Sequence, residues 1–311
     1  MKTHLFKAAV FALSLSMAIS SCKKKEDTVV ADDTTEQVST SADESAVSRE
    51  TDQAISDVNV AVSGSSFAGA RVSGYHNLIC GATIDASDSA NGNYTITYDG
   101  TTSCINNSRT RSGSIKFHIP VGTRWTDAGT TITMTFQSYK VTRLADNKSL
   151  TFAGTKYFTN VNGGLIKNLT DGGTAVVHKI RGNVNITFDD NSVRTWYISR
   201  KRTAQITSGV TTLAIEGDST VSGVAGTDIV GVNRANNPFT TVIVSPVVFS
   251  SACSNNAISG QVTHKGLVRE ITVTFGVDQL GNAVTGTCPY GFKANWTNLK
   301  GDAKQVVENY N

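Results

Sequence analysis

From residue 92 onward, apolar and polar residues alternate with a period of two. Tyr94-Thr-Ile96-Thr-Tyr98, Ile115-Lys-Phe117-His-Ile119, Ile132-Thr-Met134-Thr-Phe136, Val184-Asn-Ile186-Thr-Phe188 and Ile271-Thr-Val273-Thr-Phe275 all read this way. Successive side chains of a strand point to opposite faces, so the alternation predicts half-buried strands. Asp99-Gly100, Asp146-Asn147, Asp189-Asp190-Asn191 and Gly281-Asn282 supply turn chemistry between them. The runs over 129–144 and 192–206 are about twice the usual strand length of 5–6 residues. No helical crossover pattern is present to serve a parallel sheet. The expected fold class is all-β: an extended, twisted antiparallel meander, either sandwich-like or an open sheet.

The N-terminal fifth reads differently. Ala54, Ile55, Val58 and Val62 fall at i, i+1, i+4 and i+8, which predicts one short helix over 44–62. Residues 23–43 are charged, poorly hydrophobic and aperiodic, which predicts a disordered tether. Ahead of them, Lys2 and Lys7 precede an apolar run from Ala8 to Ile19, the layout of a secretory signal and too short to span a bilayer. The run ends in Ile19-Ser20-Ser21-Cys22, which resembles a bacterial lipobox. That resemblance implies cleavage before Cys22, a signal peptide of 1–21 and acyl chains on the Cys22 sulfur and amine. Several chains together anchor a protein durably, where one binds marginally. The expected organisation is therefore signal 1–21, lipidated tether 22–43, helical collar 44–62 and an all-β domain over 63–311.

Within that domain the sequence repeats itself. Gly92-Asn-Tyr-Thr-Ile-Thr-Tyr-Asp99 returns as Gly182-Asn-Val-Asn-Ile-Thr-Phe-Asp189, and Ser108-Arg-Thr-Arg-Ser-Gly-Ser-Ile115 as Ser199-Arg-Lys-Arg-Thr-Ala-Gln-Ile206. Leu150-Thr-Phe-Ala-Gly154 matches Leu213-Ala-Ile-Glu-Gly217, and a partial third copy begins at Ile271. Conserved block order predicts two to three strand–turn–strand units, each continuing its neighbour's sheet.

Composition agrees with strands. The chain holds 40 threonines and 27 glycines but only 3 methionines and 4 prolines, with 39% hydrophobic and 17% charged residues. This excludes a coiled coil, a helical bundle and a multi-span helical membrane protein. The formal net charge of +3 conceals an asymmetry: residues 23–60 carry 4 basic against 10 acidic residues, and the remaining body 22 against 15. With Cys22 assigned to lipid, four cysteines remain. Pairing Cys80 with Cys104 and Cys253 with Cys288 is favoured among the three possibilities, because each pair flanks one strand segment and the two mirror each other. Their spacings lack a C-x2-C knuckle, so no metal is expected despite His76 and His264 near by.

Candidate chemistry is sparse. No nucleophile elbow, H-E-x-x-H or phosphate loop is present, and no cofactor or nucleic-acid partner is expected. Glu216 and Asp218 form one of many carboxylate pairs and carry little signal. His118 and His178 lie inside alternating runs and read as surface residues, and Trp125, Trp196 and Trp296 as core. Four Asp-Ser/Thr triplets, at Asp27, Asp33, Asp88 and Asp218, resemble Bacteroidota O-glycosylation sites. Arg109 with Arg111, and Arg200 with Arg202, are i, i+2 pairs in equivalent repeat positions. Each pair projects from one sheet face, so together they could form a cationic stripe for an anionic glycan. The competing reading pairs each arginine with a carboxylate.

Several segments resemble a family of uncharacterised Bacteroidota lipoproteins. They are Asp99-Gly-Thr-Thr-Ser-Cys104, Arg109-Thr-Arg111, Trp125-Thr-Asp-Ala-Gly-Thr-Thr-Ile-Thr133, Gly154-Thr-Lys-Tyr-Phe-Thr-Asn160, Thr195-Trp196 and Ser250-Ser-Ala-Cys253 with Gly286-Thr-Cys288. The resemblance implies an all-β outer-membrane lipoprotein without assigned chemistry. Lys23-Lys-Lys-Glu-Asp27 resembles the export signal that sends such proteins to the cell surface, the periplasmic face being the alternative. The expected function is a non-catalytic envelope lipoprotein, membrane-anchored, that binds a glycan or an envelope protein or serves structurally. The alternative is a surface hydrolase acting on polysaccharide or peptide.

Overall fold

The computed structural model describes residues 35–63, 79–104, 108–266, 270–298 and 300–310. Cys22, the signal, most of the tether and His76 lie outside them. Among the described residues one α-helix, α1 (Thr35–Ser63), is followed by fifteen strands. The first seven are β1 (Ala82–Asp85), β2 (Asn93–Asp99), β3 (Arg109–His118), β4 (Thr131–Arg143), β5 (Ser149–Asn160), β6 (Val176–Phe188) and β7 (Val193–Thr207). Then come β8 (Val210–Gly217), β9 (Ser219–Val221), β10 (Val224–Val232), β11 (Pro238–Ser250), β12 (Asn256–Lys265), β13 (Glu270–Val277), β14 (Gly291–Thr297) and β15 (Ala303–Asn309). All belong to one sheet, and every pairing between strands is antiparallel. Sheet order follows chain order except at β8 and β9. Both β8 and β10 lie between β7 and β11: β10 pairs with the first half of each and β8 with the second. The fold class is thus the all-β meander that the alternation predicts.

The helix begins at Thr35, nine residues before the expected start, and takes up part of the stretch read as tether. Residues 35–42 carry no apolar stripe, so periodicity could not find them. The repeated blocks occupy β2 with β6 and β3 with β7, but their pairing is not equivalent. Ser112 in β3 faces Asp99, whereas Arg200 and Arg202 in β7 face Ile180 and His178, upstream of the repeated block. In the second copy the chain turns directly into strand at Val193; in the first, residues 100–104 form a disulfide-linked loop instead.

One face of the sheet is apolar and covered. A row runs across it through Tyr94, Phe117, Met134, Lys156, Gly182, Ile198, Ile229, Thr241, His264 and Ile271. The opposite face carries threonines that hydrogen-bond across strands, such as Thr131 with Thr159 at 2.8 Å and Thr135 with Thr155 at 3.2 Å. α1 buries Val47, Ala54, Ile55, Val58 and Ala61 in the same cluster as Ile96, Ile115, Phe152, Ile180 and Trp196. Glu50 and Asp52, about 200° apart around the helix axis, reach β3 and β7 respectively, with β4, β5 and β6 between. The sheet therefore curls around α1 as a trough around a rod.

Local irregularities permit that curl. Gly113 sits at φ +79° opposite Ser138 at a β-bulge, and a Cβ there would lie 2.1 Å from the Ser138 carbonyl. Gly182 faces Lys156, where a Cβ would lie 2.2 Å from the Thr155 carbonyl. Cys80 is bonded to Cys104 and Cys253 to Cys288, with Cα separations of 5.9 and 5.3 Å. This is the pairing favoured by their placement.

Candidate functional site

The charged groups gather between α1 and the trough. Asp43, Glu50 and Asp57 recur every seven residues and so share one helix face, with Glu44 about 100° round from it and Asp52 on the far side. Asp57 is buried and accepts from Arg111 and from the Tyr98 hydroxyl at 2.7 Å. Arg111 also donates to the Cys80 carbonyl at 2.8 Å, which links this pair to the first disulfide, and lies over the Tyr98 ring. Arg109 reaches Glu50 at 2.8 Å. On the other wall, Asp52 is paired with Arg202 and lies 3.7 Å from Arg200. Arg200 in turn makes a two-pronged pair with the buried Asp228 of β10, at 2.8 and 2.5 Å. Near the helix start, Glu44 accepts from Thr241 at 2.6 Å and meets His264 at 3.2 Å and Arg194 at 3.6 Å. Arg234 forks onto Asp43 at 2.8 and 3.0 Å.

Arg109, Arg111, Arg200 and Arg202 thus share one sheet face, as their spacing predicts. That face is the covered one: Arg111 and Arg200 are 4% and 7% exposed. The exposed cationic stripe expected for glycans is therefore not present while α1 is seated. Every member is matched by a carboxylate, three of the partners (Glu50, Asp52 and Asp57) coming from the helix and one, Asp228, from β10. Burial pushes the Asp57 and Asp228 carboxyls above their usual range, the Arg111 and Arg200 guanidinium groups acting against it. At Glu44 burial pushes upward too, but His264, Arg194 and Thr241 outweigh it and hold the group low.

Sequence reasoning misplaced one buried base and passed over a second. His178 is not a surface residue; it is 4% exposed, packed 5.2 Å from Trp125 and 4.8 Å from Phe158 between ring centroids. Desolvation, with the nearby Arg202 charge, lowers it to about 4. Between that value and an ordinary 6.5 the unfolded chain holds a proton here and the folded chain does not. Its contribution to stability is therefore lost as pH falls through that window. His178→Phe should lose less stability than wild type from pH 6.5 to 4, by about 2–3 kcal/mol, as read by denaturant unfolding; equal losses in both proteins contradict this.

Lys156 escaped notice altogether. It has no exposed surface, sits mid-row in the trough floor, and its Nζ has no hydrogen-bond partner among the described residues. Desolvation lowers it to about 7, with Asp52 and Asp228 acting against Arg200 and Arg202.

Elsewhere, Trp125 and Trp196 are buried and Trp296 packs beside a smaller core, as expected of core residues. His118 is hydrogen-bonded to Asn93 at 2.9 Å beside a shallow outer groove of about 310 Å³. Glu216 is paired with Lys201 at 2.8 Å, and Asp218 with Lys179 and Arg181. Among the described residues no group of three metal-ligating side chains converges. No family profile, curated protein or solved structure matches the chain.

Proposed function

We propose that this protein is a lipid-anchored component of a bacterial cell envelope, held at the outer membrane through Cys22, whose folded part binds or scaffolds rather than catalyses. The observation that carries this reading is the Ile19-Ser20-Ser21-Cys22 motif behind a short apolar run. Two disulfides in the folded part are in keeping with an oxidising compartment. The non-catalytic reading draws support from the site itself: its arginines and carboxylates are committed to one another across the helix–sheet contact, and its bases are sealed from solvent. Surface exposure and kinship with Bacteroidota lipoproteins belong to the same proposal, supported by the sequence segments described above.

Detergent-phase partitioning tests the anchor. Expressed in a host with lipoprotein-processing enzymes, the wild type should enter the detergent phase and Cys22→Ser should stay in the aqueous phase. If both stay aqueous after signal cleavage, Cys22 carries no lipid.

A further inference from the structure

The trough has two characters at once. Its floor is apolar, with Ile115, Ile132, Phe152, Ile180 and Trp196 wholly buried. Its walls are cationic, Arg109 and Arg111 on β3 facing Arg200 and Arg202 on β7 across the helix. Lys156 stands in the floor between them. α1 fills this space with an imperfect match. Among the described residues its large apolar side chains buried there are Val47, Ile55 and Val58, while five of its carboxylates face the cations.

The mismatch shows in hydrogen bonding. Lys156 Nζ, Trp196 Nε1 and Arg202 Nε all lie on the trough face without a hydrogen-bond partner among the described residues. Buried polar groups are satisfied in about nine cases of ten, so a group of such orphans beneath one element points to a second occupant. A buried lysine is costly to keep, and such groups are retained where function uses them. The occupant's chemistry can be read from the surface that would receive it: an apolar strip for a chain and clustered cations for an anionic head. The helix already imitates that combination.

We propose that α1 is a displaceable plug and that the trough beneath it binds an acyl lipid with an anionic head, its chain along the Phe152–Ile180 floor and its head among Lys156, Arg200 and Arg202. This rests on the binding reading above, but anchorage through Cys22 stands or falls separately. Because helix and ligand compete for the same cations, the two sides of each ion pair have opposite effects. Removing a carboxylate from α1 weakens the plug and raises the fraction of open trough, which raises apparent affinity in proportion. Removing an arginine from a wall removes part of the site.

The test uses the full chain with Cys22→Ser, palmitate as the probe and hexadecanol as its uncharged control, with binding followed by calorimetry. Glu50→Gln/Asp52→Asn should bind palmitate about tenfold more tightly than the parent, and Arg202→Gln about tenfold less tightly; hexadecanol should bind weakly to all three. Saturable binding in neither parent nor helix-side variant, the same direction of change in both variants, or equal affinity for palmitate and hexadecanol overturns the proposal. Hydrogen exchange on the parent decides the matter if a variant fails to fold. Saturating palmitate should speed exchange of the α1 amides while β4, β5 and β6 keep their protection; unchanged or slower exchange in α1 overturns it. A failure here with Cys22 lipidated leaves the anchored-protein reading intact.

Discussion

Arg200→Met is expected to destabilise the protein by about 3–5 kcal/mol, because it breaks a buried ion pair from one side only. Asp228 is 2% exposed and accepts both prongs of the Arg200 guanidinium, and Asp52, 5% exposed, lies against the same group. Without Arg200 the Asp228 carboxyl keeps its full desolvation and loses its compensating charge. Burial already holds that carboxyl above its usual range with the arginine present. The double variant Arg200→Met/Asp228→Asn removes both charges and should recover at least half of the loss. Urea unfolding at pH 7 reads both effects. A single-variant loss below about 1 kcal/mol, or a double variant worse than the single, would mean that water reaches the pair.

The second large effect has the opposite sign. Lys156→Met should stabilise the protein near neutral pH by about 3–5 kcal/mol. Lys156 is fully buried, and desolvation lowers it from 10.5 to about 7. Between those values the unfolded chain binds a proton at Lys156 and the folded chain does not, so the wild type gains stability as pH rises through the window. Methionine has nearly the same length and no charge, and it leaves Asp52 with Arg202 and Asp228 with Arg200. The advantage of Lys156→Met should be greatest at pH 7 and below and fade as pH rises towards 10.5, above which both states of the wild type are neutral. Unfolding midpoints at pH 7, 9 and 10.5 test this. An advantage that does not shrink with pH would point to packing instead of charge burial.

These two side chains show where the sequence was readable and where it was not. Strands were plain because alternation depends only on which face is wet. The disulfides were plain because two hairpin-flanking pairs stood at mirrored places. The inward arginines were half legible: their i, i+2 spacing placed them on one face without telling which. Lys156 was in fact written into the alternation, since Leu150, Phe152, Gly154, Lys156 and Phe158 share one parity of β5. It was passed over because lysine is almost never fully buried. His178 was missed because histidine counts as a polar position, although it lies in step with Val176 and Ile180.

The acidic helix face was hidden by the opposite error. Asp43, Glu50 and Asp57 repeat at seven-residue intervals, a spacing that marks one side of a helix as surely as leucines would. Carboxylates usually mark the solvated side, so Glu50 and Asp57, within the helix expected over 44–62, gave no sign of a contact face, and Asp43 fell in the stretch read as tether. Only the sheet's inward arginines make that face a contact surface, and those lie 50 to 150 residues away in the chain.

That separation has a consequence for the order in which the molecule can be made. Nearly every strand pairs with its chain neighbour, so the sheet can grow hairpin by hairpin with little loop closure at each step. The helix obeys no such local rule. Its C-terminal half meets β2 and β3 some 41 to 59 positions away, but Glu44 finds Thr241 across 197 residues and His264 beyond that. In a chain made from its N-terminus, α1 is the first described element to emerge, yet its partners are not complete until β12. Asp52 must wait for β7 and Glu44 for β12, while the cations they neutralise arrive one by one. The first described element is thus held waiting until twelve of the fifteen described strands exist.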